Sequence, residues 1–190
     1  DVYKRQIVKY IDELLEKSTP EAPMWNIEKI RQGLKSNWNY IDGVMIKAVL
    51  QMYDVTKDEK YLKFADNFID YRVHEDGTID GYNIGEKNID NVNAGKTLFE
   101  LYDLTGKEKY RKAIDLVYSQ IEIMPRCNNE ARSFWHKDIY PNQVWLDGMY
   151  MGQPFYLEYE TKFNNRKNYP DIFAQFKYCL LYTSDAADEL

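Results

Sequence analysis

Apolar residues recur along this chain in bounded segments that lack the β-branched alternation of strands, and short polar turns separate them. The pattern predicts helices over residues 7–17, 41–54, 58–72, 91–105, 107–122, 144–161 and 169–178. Two long connections, 73–88 and 123–143, hold Gly, Pro, Asn and Trp. Loops of that length in a compact domain are commonly functional or disordered, and the second is too rich in Trp, Tyr and His for disorder. The expected fold class is all-α.

The turns themselves repeat. Tyr53-Asp54-Val55-Thr56-Lys57-Asp58-Glu59-Lys60-Tyr61 returns 49 residues later as Tyr102-Asp103-Leu104-Thr105-Gly106-Lys107-Glu108-Lys109-Tyr110. A weaker third copy runs from Tyr159-Glu160-Thr161-Lys162 to Tyr169. Each copy ends one helix, turns, and opens another. The period is too long for tetratricopeptide units and suits pairs of longer helices, stacked as a solenoid or closed into a toroid. Six such pairs would need roughly 294 residues, so if the toroid has six pairs, a chain of 190 residues cannot close it and leaves an apolar edge exposed.

Composition narrows the function. The chain is 44% apolar and 15% aromatic, with 17 Tyr against 8 Phe. Tyr pairs a flat apolar face with a hydroxyl, which suits a cleft that stacks sugar rings and equally suits helix–helix seams. The formal charge is −6 without a basic run, which argues against a nucleic-acid partner. No apolar run reaches the length of a membrane span. Residues 1–6 and 179–190 resemble translated sequencing-adapter read-through, leaving 7–178 as the expected domain, with the true N-terminus upstream. Without Cys179, Cys127 stands alone and forms no internal disulfide, which favours a reducing, cytoplasmic setting. With two histidines and no cysteine cluster, neither a metal nor another cofactor is expected.

Three acids stand at helix starts. Tyr40-Ile41-Asp42-Gly43-Val44-Met45 and Trp145-Leu146-Asp147-Gly148-Met149-Tyr150 share an aromatic, an aliphatic, Asp and Gly before a large apolar run, and Asp90 precedes the helix of the second repeat. An Asp there is ordinarily an N-cap, and that account stays open for each. In a toroid, however, inner-helix starts gather at one mouth, where three acids suit proton transfer. Asp147 is the leading candidate. Trp135, Tyr140 and Trp145 would desolvate its carboxyl and raise its affinity for a proton, while His136 and Lys137 offer positive charge to an anionic substrate.

The run from His136 to Met151, with Pro154-Phe155, Trp38-Asn39-Tyr40 and the segment 90–95, resembles the unsaturated rhamnogalacturonyl hydrolases of glycoside hydrolase family 105 and their family 88 relatives, the unsaturated glucuronyl hydrolases. The resemblance extends over most of 25–178. It implies the first part of a six-pair α/α barrel, Asp147 as general acid, and Asp90 as a second essential or substrate-orienting acid. Asn39, Tyr40, His136, Lys137, Tyr140 and Trp145 would then line the sugar pocket, with Asp42 the runner-up acid. The implied substrate is an acidic oligosaccharide left by a polysaccharide lyase, carrying a C4=C5 double bond in its terminal uronic acid. The competing readings are another α/α-barrel carbohydrate enzyme and a helical-repeat scaffold. The scaffold predicts Asp90 and Asp147 more than about 15 Å apart, because a capped repeat array has no reason to gather acids.

Overall fold

The computed structural model describes residues 2–182. In chain order these form α1 (Val2–Glu16), α2 (Ile27–Arg31), α3 (Tyr40–Thr56), α4 (Glu59–Asp70), a 3-10 helix (Ile89–Gly95) running into α5 (Lys96–Thr105), α6 (Glu108–Ile123), α7 (Leu146–Phe163) and α8 (Tyr169–Tyr182). No strand occurs among the described residues, although three isolated antiparallel bridges pin the loops. Every expected helix is present. The one expected over 91–105 is wound as 3-10 in its first turns, and the five-residue α2 is an addition. α1 includes residues 2–6 of the first expected tail, and α8 includes 179–182 of the second, with Cys179 buried. The remainder of that tail, 183–190, lies outside the described residues.

α3–α4, α5–α6 and α7–α8 pack as successive hairpins. The first members of these hairpins (α3, the 3-10/α5 helix and α7) also pack directly on one another. Between them lies one core built from Ile46, Val49 and Leu50 of α3, Phe68 and Ile69 of α4, Leu98 and Phe99 of α5, Ile114 and Val117 of α6, and Phe155 of α7. Burying each such side chain contributes about 1.5–3 kcal/mol. Leu146, Tyr150 and Leu157 of α7 and Phe173 of α8 remain exposed.

The 49-residue repeat holds to the level of single atoms. Thr56 Oγ1 and Thr105 Oγ1 each donate to the carbonyl four residues back, both at 2.6 Å. The phenols of Tyr53 and Tyr102 each donate to Glu59 and Glu108, both at 3.3 Å. α3 ends on Lys57 at φ 56°, and α5 ends on Gly106 at φ 68°. Both caps donate their N–H to the Tyr carbonyl, at 2.7 and 2.8 Å. A left-handed residue with a Cβ is strained by about 1–2 kcal/mol. Lys57→Gly should therefore raise the free energy of unfolding by about 1 kcal/mol. Chemical denaturation measures this, and a variant no more stable than the parent would show that the strain is relieved elsewhere.

The tyrosines act largely in the seams. Tyr61 and Tyr110 are fully buried and donate to Asp12 and Asp66, while Tyr118 stacks on Tyr159 with ring centroids 3.6 Å apart. Gly43 is required by close approach. A Cβ on Gly43 would stand 2.6 Å from Ala94 Cα, against the backbone of the 3-10 helix. That contact lets Asn93 Nδ2 reach the Tyr40 carbonyl (3.0 Å), and Trp38 Nε1 reaches the Asn91 carbonyl (2.8 Å). The 3-10 helix bearing Asp90 is thereby fixed to α3.

Candidate active site

The long loop between α6 and α7 is tied to the start of the 3-10 helix by its backbone. The Ile89 N–H donates to the His136 carbonyl (3.0 Å) and the His136 N–H to the Gln143 carbonyl (2.8 Å). The Phe134 N–H donates to Gln175 Oε1 of α8 (3.0 Å), and Asn88 and Lys137 form an antiparallel bridge. Asn88 caps the 3-10 helix through the Asp90 N–H, and its own carbonyl accepts from Gln120 of α6. These ties carry His136 and Lys137 from the loop to Asp90, across more than forty residues of sequence.

The side chains then meet. Lys137 Nζ lies 2.8 Å from Asp90 Oδ2, and His136 Nε2 lies 3.3 Å from Asp90 Oδ1. On the other edge of the ring, His136 Nδ1 is 3.9 Å from Asp147 Oδ1. Trp145 stacks on the imidazole at 4.1 Å, and Tyr140 stacks on Trp145 at 5.2 Å. Side-chain exposure rises from 1% for His136 and 12% for Asp90 to 24% for Lys137 and 54% for Asp147. Burial by itself raises the proton affinity of Asp90. The contacts from His136 and Lys137 outweigh it and hold the carboxyl below its ordinary range, so Asp90 is an anion at neutral pH.

Several expectations change here. None of the three acids is an N-cap. Asn39 caps α3 by accepting from the Ile41 and Asp42 N–H groups, Asn88 caps the 3-10 helix, and Trp145 precedes α7 without a side-chain cap. Asn39 spends its amide on the Asn37 carbonyl and on Asp42, so its side chain is engaged within the capping turn. Asp42 does not join the other two acids. It is buried, and accepts from Trp25 Nε1 (2.7 Å), Asn26 Nδ2 and Asn39 Nδ2. Desolvation raises its pKa in spite of these donors. His136 lies under Trp145 and has no open face for a sugar, whereas Tyr40, Lys137, Tyr140 and Trp145 keep exposed surface. Asp147 is half open, so the aromatic enclosure expected of it is not formed by the described residues. Its carboxyl is nonetheless close to Asp90. One ligand-capable atom from each of Asp90, His136 and Asp147 lies within 4.8 Å of the others, far inside the separation a scaffold predicts. These three donors fit a divalent metal poorly, because the Lys137 ammonium already pairs with Asp90 and would repel it.

Lys96 escaped the sequence reading. Pro154 lacks an N–H, which frees the Tyr150 carbonyl one turn earlier in α7. Lys96 Nζ takes that carbonyl at 3.3 Å and sits 3.8 Å from the Tyr150 ring centroid. Burial, reinforced by the charge of Lys47, pushes its pKa down to about 8. The legible signal was the proline inside a helix, which always leaves an acceptor four residues back in need of a donor.

Stacked helical hairpins with an acid pair at the helix starts define a partial α/α barrel of the carbohydrate-active kind. The model described as Glycosyl Hydrolase Family 88 matches residues 10–190, and the chain belongs to that family. A solved structure, a glycoside hydrolase from family 105 of C. acetobutylicum ATCC 824, matches with a TM-score of 0.71 and 45% identity over 78% of this chain and 41% of that one. The chain thus spans about two fifths of the length of that relative.

Proposed function

We propose that the protein is a glycoside hydrolase that removes a C4=C5-unsaturated uronic acid from the non-reducing end of lyase-generated oligosaccharides, with rhamnogalacturonan fragments from pectin the preferred source. The observation that carries this reading is the gathering of Asp90, His136, Lys137 and Asp147 at one site. Asp147, the most accessible acid of the group, protonates the vinyl-ether carbon C4. Water adds to the resulting oxocarbenium at C5, and the hemiketal opens and expels the remaining sugar from C1. This route differs from ordinary glycoside hydrolysis, in which two carboxyls flank the scissile bond and a proton goes to the glycosidic oxygen. One acid at the double bond suffices, with Tyr40, Lys137, Tyr140 and Trp145 as the groups that orient the ring. The double bond removes the C4 stereocentre that separates galacturonate from glucuronate, so selectivity must be set by contacts with the adjoining sugar.

Incubation of the protein with a lyase-generated unsaturated disaccharide should bleach the ultraviolet absorbance of the conjugated C4=C5 bond. Cleavage of saturated substrates with the unsaturated ones left intact would overturn the hydration route.

A further inference from the structure

The structure places a lysine and an imidazole, Lys137 and His136, near an acid that must keep its proton. A positive charge within a few ångströms favours a carboxylate and would disarm Asp147 as a donor. The hydrogen-bond inventory around His136 shows how both charges are dealt with. Asp90 Oδ1 is buried and makes no aligned hydrogen bond, and His136 Nδ1 is buried and unpartnered. The ionised Asp90 needs a donor at Oδ1, and His136 Nε2 lies 3.3 Å from that oxygen. That edge of the ring must therefore carry its proton, because buried acceptors are satisfied in folded proteins.

The opposite edge calls for the reverse. A cavity of about 10 Å3 adjoins His136, lined also by Trp135, Gly148 and Gln153 among apolar neighbours. Trp135 Nε1 and Gln153 Oε1 are also buried without partners. Trp135 can only donate and Gln153 Oε1 can only accept. A space of this size is at the lower limit for one water, and a bare Nδ1 is a ring atom that can accept from it. Gly148 keeps this edge open, since a Cβ there would stand 3.1 Å from Nδ1. Among the described residues, the acids within 4 Å of the ring nitrogens are Asp90 and Asp147, and the Lys137 charge is taken by Asp90 Oδ2.

We propose that Asp90 is a positioning residue that insulates the acid, by pairing with Lys137 and fixing His136 as the neutral Nε2–H tautomer with a bare Nδ1 towards Asp147. This rests on the reading of Asp147 as the proton donor, but it has a readout of its own. His74 is the only other histidine and lies at the surface against Asp80. A His74→Gln variant therefore leaves a single imidazole, whose two ring nitrogens are resolved by long-range nitrogen–proton correlation in labelled protein without any substrate. At neutral pH the expected spectrum shows Nε2 protonated and Nδ1 as an acceptor. A protonated Nδ1, alone or as imidazolium, overturns the proposal whatever the enzyme's activity. So does a stoichiometric shift of both nitrogens on adding Zn2+, which would make the group a metal site. In the active enzyme, Asp90→Asn should move the alkaline limb of the pH–rate profile to lower pH and populate the second tautomer. An unmoved limb with an unchanged tautomer overturns the insulating role. Full activity in Asp147→Asn would instead remove the donor assignment and leave the tautomer result standing.

Discussion

Asp147→Asn is expected to lower turnover of an unsaturated uronyl disaccharide by about a hundred- to ten-thousand-fold, the range associated with losing a positioned general acid. The variant should fold as the parent does. Asp147 is half exposed, and among the described residues the one basic side chain within 4 Å is His136 at 3.9 Å, too far for a hydrogen bond. It lies in the first turn of α7, where an acid contributes a few tenths of a kcal/mol through the helix dipole, so the change in stability should stay below about 1 kcal/mol. Asp90→Asn makes the informative contrast. That change removes the partner of Lys137 from a buried site and should cost both stability and rate. Steady-state bleaching of the substrate, with thermal unfolding of each variant, separates the two. An Asp147→Asn enzyme that keeps most of its rate would remove the donor assignment, since Asp90 is held as an anion and Asp42 is closed off beneath Trp25 and Asn26.

Much of this arrangement was legible because it rests on local chemistry. Helix ends are written in short stretches, so Tyr-Asp-x-Thr followed by Glu-Lys-Tyr identified two hairpin turns whose hydrogen bonds then matched within a few tenths of an ångström. The meeting of Asp90 with Asp147 was legible for a related reason, since equivalent helix starts lie on one side of stacked hairpins. What the sequence hid depended on distant partners. Asp42 and Asp147 share the same aromatic-aliphatic-Asp-Gly setting, yet one is buried and the other open. The difference comes from Trp25 and Asn26, which reach Asp42 from another segment sixteen or seventeen residues away. The caps were misplaced because Asn and Asp cap equally well, and Asn39 and Asn88 stood three and two residues ahead of the acids that drew attention. The shared glycines likewise serve different neighbours. Gly43 admits the backbone of Ala94, and Gly148 leaves room for the edge of His136.

The third copy of the repeat shows how a small covalent change redirects a turn. Asp54 and Asp103 hold the acidic position of the first two copies and lie at the surface, whereas Glu160 at the same place in the third is fully buried. Its extra methylene lets the carboxylate reach into the α7–α8 connection. There it accepts from Tyr118 Oη (2.9 Å), Asn164 Nδ2 (2.8 Å), the Asn168 N–H (2.8 Å) and Asn168 Nδ2 (2.9 Å). These donors permit a turn that places Asn165 and Arg166 at φ 49° and 62°, unlike the single left-handed cap of the earlier copies. Burial would raise the Glu160 pKa, but the four donors more than compensate and hold it below the ordinary value. Glu160→Ala strands those donors, at about 1–3 kcal/mol for each that water cannot reach, so a loss of about 3 kcal/mol or more is expected in chemical denaturation. Because the folded-state pKa lies below the unfolded one, the charge stabilises the fold above the unfolded carboxyl pKa of about 4.3, and this contribution fades as pH falls through the folded value. Glu160→Gln cannot titrate and keeps one acceptor. It should be less stable than the parent at pH 7 and should lose less of its remaining stability between pH 5 and the acid limb. Parallel acid curves for parent and Gln variant would mean that the carboxylate carries no such linkage, and that the turn is held by its backbone alone.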